Sequence, residues 1–68
     1  MEEVAKVRTF YDDESEAEMV LLSVSHDTGL CKCLYENAHE NIAVRVARHR
    51  NRVHPLNDAA REMLKLWS

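Results

Sequence analysis

One glycine and one proline in 68 residues leave few places for tight turns with positive φ, because glycine takes that region freely and proline presets turn geometry. That scarcity argues against a barrel of many hairpins. The two cysteines, Cys31 and Cys33, stand one residue apart, too close for the Cα separation and dihedral of a relaxed intramolecular bridge. A secreted disulfide scaffold is therefore not expected. Long apolar runs are also missing. The stretches Met19 to Leu22 and Ile42 to Val44 fall far short of the roughly 20 residues a membrane helix needs. The acidic start lacks the basic n-region of a signal peptide, so the expectation is a cytoplasmic protein without a membrane partner.

Catalytic signatures are absent too. The chain has no G-x-S-x-G, Walker A, H-E-x-x-H or glycine-rich dinucleotide loop, and a domain this small encloses little pocket. No enzyme activity and no cofactor are expected.

What the chain does have is a division of charge. From Met1 to Glu40 ten acids stand against three bases, a net −7, and from Asn41 to Ser68 six bases stand against two acids, a net +4. A chain polarised in this way either folds its ends against each other or shows two faces to charged partners. With 46% apolar and 31% charged residues it has the composition of a folded soluble chain rather than a disordered one. Residues 1–68 are read as a single small domain, in a size range where one core is marginal and a second subunit often helps. A homodimer is accordingly among the expected partners.

Along the chain, Val4 to Tyr11 is rich in β-branched and aromatic residues and alternates as a strand. Ala17 to Ser25 reads either as a helix capped by Ser15 and Glu18 or as a second strand, with its V-L-L-S-V-S composition favouring the strand. Asn37 to Val53 fits both a helical stripe and strict alternation. Some sixteen residues without glycine or proline exceed a usual strand, so length favours a helix. His54-Pro55 ends that element. Asn57 then suits an N-cap, with Ala60, Met63, Leu64 and Trp67 forming an apolar helical stripe behind it. The expected fold is α+β: a small N-terminal antiparallel hairpin or sheet, a basic helix and a C-terminal helix, with an all-α arrangement as the alternative.

The site candidates follow from these elements. On a helix, offsets of three and four residues bring Arg45, Arg48 and Arg52 onto one face and leave Arg50 away from it. Arginine favours protein interfaces and phosphates alike, through its planar fork and weak hydration. The expected function is a small non-enzymatic regulatory protein that binds and modulates a larger protein through charge-polarised surfaces, with Arg45, Arg48 and Arg52 as the partner-binding face. The alternative is a nucleic-acid-binding regulator using the Arg45 to Arg52 basic face. Met63, Leu64 and Trp67 are the candidate dimer interface. His26, Cys31, Cys33 and His39 form H-x4-C-x-C-x5-H, which departs from the usual zinc spacings and is a weak metal candidate beside the bland reading of a buried cysteine. No metal is expected. The acidic stretch Asp12 to Glu18 reads as a solvated turn.

Overall fold

The computed structural model describes residues 3–65. Five strands and one helix follow in the order β1 (Lys6–Phe10), β2 (Glu16–Val24), β3 (Leu30–Asn37), β4 (Ile42–His49), β5 (His54–Pro55) and α1 (Asp58–Lys65), with a 3₁₀ turn at Arg50–Arg52. The strands form one antiparallel sheet in the order β4-β3-β2-β1-β5. This corrects the expected hairpin with two helices, and the all-α alternative with it.

β1 and β2 lie where alternation and β-branched composition place strands. In β1, Val7 and Thr9 are buried while Lys6 and Arg8 are exposed, the period-2 pattern of a sheet covered on one face. β2 breaks that alternation because its pairing with β3 carries a bulge between Leu21 and Ser23. The extra residue, Leu22, lets both Leu21 and Val24 pair with the buried cysteines of β3, Leu21 opposite Cys33 and Val24 opposite Cys31.

The larger correction concerns residues 38–53, read from their length as a basic helix. They form a turn, an eight-residue strand and a 3₁₀ turn. The β3–β4 turn needs no glycine. The Asn37 side-chain carbonyl accepts from the His39 and Glu40 backbone N–H groups at 3.1 and 3.4 Å, and Asn41 takes φ 54°, a left-handed conformation that asparagine tolerates better than most residues. On the acidic side, Asp12 accepts from the Glu14 and Ser15 N–H groups at 2.8 Å each and closes the β1–β2 turn in the same way. These backbone hydrogen bonds hold the Asp12 carboxyl below its usual range. Gly29, at φ 76°, serves the β2–β3 turn. Side-chain turns thus replace the glycines whose scarcity argued against several hairpins.

From the end of β4 the chain crosses one face of the sheet to reach the far side of β1. The Thr9 hydroxyl donates to the Arg52 carbonyl at 2.9 Å, Val53 is buried at 1% exposure, and His54 and Pro55 pair with Arg8 and Val7. Helix α1 packs on that same face and touches β1, β2 and β5. Asn57 starts it as expected: its side-chain carbonyl accepts from Ala60 N–H at 3.0 Å, the N-cap bond to the third helical residue. That carbonyl also accepts from Lys6 N–H at 3.1 Å, and the Asn57 amide donates to the Val4 carbonyl at 2.8 Å. The core between sheet, crossing segment and helix contains Val7, Met19, Leu21, Cys31, Cys33, Val46, Val53, Ala60 and Leu64.

Because Asn57 joins the helix start to the strand start, Asn57→Ala should cost more than a cap alone. The expected loss is about 2 kcal/mol, the upper end for an N-cap, read as a lower urea midpoint. Asp58→Ala, which removes an exposed pair with Arg61, should shift it by less than about 0.5 kcal/mol.

Candidate functional site

The helix, the crossing segment and the core all lie on one side of the sheet. The other side is left uncovered by the described residues. Strand parity places Lys6, Arg8 and Phe10 of β1 there, with Glu16, Glu18, Val20 and Leu22 of β2, Leu30, Lys32, Leu34 and Glu36 of β3, and Ala43, Arg45 and Ala47 of β4. One row crosses four strands as Lys6, Val20, Leu34 and Arg45, an apolar pair with a base at each end. Beside it Leu22 and Leu30 are 43% and 38% exposed. In the neighbouring row Arg8 stands opposite Glu18. The uncovered face is therefore an apolar centre with charges of both signs around it. Two shallow depressions mark it, one lined by Val20 and Leu34 between Lys6 and Glu36, the other by Leu22 and Ala47 between Lys32 and Arg45.

The three arginines expected on one helical face are separated by the strand. Arg45 lies exposed on the open face, whereas Arg48, three positions on, points to the covered side. There its Nη2 donates to the Tyr11 carbonyl at 3.1 Å and its Nη1 to the Ala47 carbonyl at 2.8 Å, tying β4 to the end of β1. Arg52 follows in the 3₁₀ turn, its guanidinium 5.9 Å from the centre of the Phe10 ring, within cation–π range. Arg50, set apart in the helical reading, donates to the Val53 carbonyl at 3.3 Å. Only Arg45 among the four has no intrachain hydrogen bond or ring contact among the described residues. The shared helical face does not exist, because a period of two puts residues three apart on opposite sides.

The candidate dimer residues are divided as well. Leu64 is 3% exposed and committed to the chain's own core, Met63 is partly buried against that core, and Trp67 lies outside the described residues. Of the metal candidates, Cys31 and Cys33 are fully buried free thiols facing the core. His26 and His39 are exposed in the turns at opposite ends of β3, on the order of 25 Å apart at a strand's rise per residue. Among the described residues no three His, Cys, Asp or Glu side chains come together as a metal-binding group. Burial pushes the Cys33 thiol up to about 11, with Cys31 adding to the rise and Arg48 opposing it. Burial raises Cys31 too, against Arg50. A raised thiol is a poor nucleophile at neutral pH.

The open face itself was not singled out from sequence. Its signal is present in the alternation of Val20, Leu22, Leu30 and Leu34 with core residues, but it can be read only once β3 and β4 are paired. Comparison with known proteins finds no matching family model, no similar curated protein and no similar solved structure. None of the helices among the described residues is long and apolar enough to cross a membrane.

Two measurements check this geometry. Arg48→Ala removes one bond that spans the sheet, to Tyr11, and one to the neighbouring Ala47 carbonyl, and should cost about 1–3 kcal/mol, while Arg45→Ala should stay within about 0.5 kcal/mol of the parent, both by urea denaturation. For the thiol, a folded value raised above 9.0 means that its contribution to stability is intact below pH 9 and is lost as pH climbs from 9 towards 11. The urea midpoint should fall over that window, and the fall should be smaller in Cys33→Ala.

Proposed function

We propose that this chain is a non-enzymatic protein-binding module that docks on a larger protein through its uncovered sheet face. The observation that carries this reading is the one-sided sheet. Val20, Leu22, Leu30 and Leu34 lie together on the face opposite the helix, Leu22 and Leu30 well exposed, with Lys6, Arg8, Glu18, Lys32, Glu36 and Arg45 around them. An apolar centre with a charged rim is the anatomy of a protein interface: the centre gains from losing water, and the rim selects the partner. The charge division of the sequence enters here as a mixed rim rather than as two opposed poles.

The nucleic-acid reading rested on a stripe of arginines on one helix, and that helix is replaced by a strand. A single-stranded nucleic acid would need aromatic platforms on the sheet. The face has Phe10, already under Arg52, and the acids Glu16, Glu18 and Glu36. A second copy of the chain on the same face belongs to the same class of reading, since a symmetric dimer would bury the same apolar centre.

Leu34→Asp places a charge in the middle of the face without touching the core. It should abolish capture of the partner from an extract of the producing cell, or dissociate a homodimer in sedimentation, while circular dichroism and the thermal midpoint stay close to the parent. Retained capture and an unchanged sedimentation profile would remove the open face as the docking surface.

A further inference from the structure

The two edges of the sheet are built differently. On one side β5 has two residues, one of them Pro55, so this edge is short and lacks a donor, the usual protection against unwanted strand pairing. On the other side β4 runs eight residues, Ile42–His49, with no proline, no glycine and no bulge in its register with β3. The Arg50 N–H donates to the Gly29 carbonyl at 2.7 Å, which sets the phase of the β3–β4 ladder. Even-numbered residues of β4 exchange backbone bonds with β3, and Ala43, Arg45 and Ala47 turn theirs outward. The Ala47 carbonyl confirms that phase, since it accepts from the Arg48 side chain at the edge rather than from β3.

We propose that β4 receives an extended acidic strand of a partner protein, which adds to the sheet as a sixth strand. The inference rests on the protein-binding reading above and names the chemistry of what is bound. Charge selects the occupant. From Asn41 to Asn57 there is no acid, and Arg45, Arg48, Arg50 and Arg52 all lie in that stretch. On the open face Arg45 stands between Ala43 and Ala47, whose small side chains leave its guanidinium clear for a carboxylate on the neighbouring strand. On the other face the edge presents Val44, 36% exposed, beside Val46. The matching segment therefore alternates acidic residues towards Arg45 with an apolar residue towards Val44, since Val46 is committed to the core. Main-chain bonds supply affinity, and alternate side chains supply selection. A second copy of β4 fits less well. Two-fold pairing centred on Arg45 sets that arginine opposite its own copy, and pairing centred on Val46 sets it diagonal to its copy, within reach of like-charge repulsion.

The probe is a blocked eight-residue peptide alternating glutamate with valine, compared with one alternating lysine with valine, each kept at concentrations where it is monomeric. Amide chemical shifts of the full chain should move at Ala43 to Ala47 with the glutamate peptide and not with the lysine peptide. Ala47→Pro removes an outward N–H that takes no part in the β3 ladder, and should weaken binding at least about tenfold. Arg45→Glu leaves the backbone edge intact and should invert the preference between the two peptides, which keeps the inference testable even if the proline variant unfolds. Equal binding of both peptides, shifts outside β4, or a preference unchanged by Arg45→Glu would overturn it. So would β4-dependent self-association or oligonucleotide binding in place of peptide binding. If the peptide fails at β4 while Leu34→Asp still abolishes partner capture, the edge inference falls and the open-face reading stands. If Leu34→Asp also changes nothing, both fall.

Discussion

Every layer of this small domain is anchored on β1. Val7, with no exposure to solvent, pairs with Met19 of β2 on one side and Pro55 of β5 on the other, and α1 packs over it. The Thr9 hydroxyl holds the crossing segment by the Arg52 carbonyl, and Asn57 joins the helix start to the backbone of Val4 and Lys6. A chain of this size buries so little apolar surface that its core is marginal. It holds because β1, second from the sheet edge, is paired on both sides by β2 and β5, covered from one face, and tied at Lys6 and Thr9 to residues more than forty positions away.

That economy has a consequence for function. One helix and one crossing segment can cover only one face of a five-stranded sheet, and the short return strand can protect only one edge. The uncovered face retains Val20, Leu22, Leu30 and Leu34 on the surface, and the β4 edge retains the outward backbone of Ala43 and Arg45 and the outward N–H of Ala47, whose carbonyl accepts from Arg48. The proposed docking face and the proposed strand-accepting edge meet at Arg45. It is the arginine of β4 that the fold leaves uncommitted, while Arg48 serves to tie the edge strand back to Tyr11.

Much of the fold was legible in local sequence, and the part that was not has an identifiable cause. The alternation of Val7 and Thr9 with Lys6 and Arg8 marked β1. Asn57 with Ala60 and Leu64 marked α1, since capping and helical spacing are both local signals. β4 is ambiguous in sequence because Ile42, Ala43, Val46, Ala47, Arg50 and Val53 satisfy a helical period while Ile42, Val44 and Val46 satisfy a strand's, and the absence of glycine and proline suggests one long element. The break was encoded in Asn37 and Asn41, whose side chain and positive φ form the turn that glycine usually supplies. The arginine grouping failed with it, since a change of period from 3.6 to 2 moves residues three apart from one face to opposite faces.

The sequence by itself determined the inventory: a composition that folds, the end helix and its cap, two cysteines too close for a bridge, and an acid-free stretch of arginines. Local spacing and charge suffice for these, because each depends on neighbours a few residues away. Tertiary structure alone decided what the arginines face, which side of the sheet stays open and which edge stays unpaired. Those properties depend on the register between strands distant in the chain. A single bulge at Leu22 or a single turn at Asn41 reverses which side chains meet solvent.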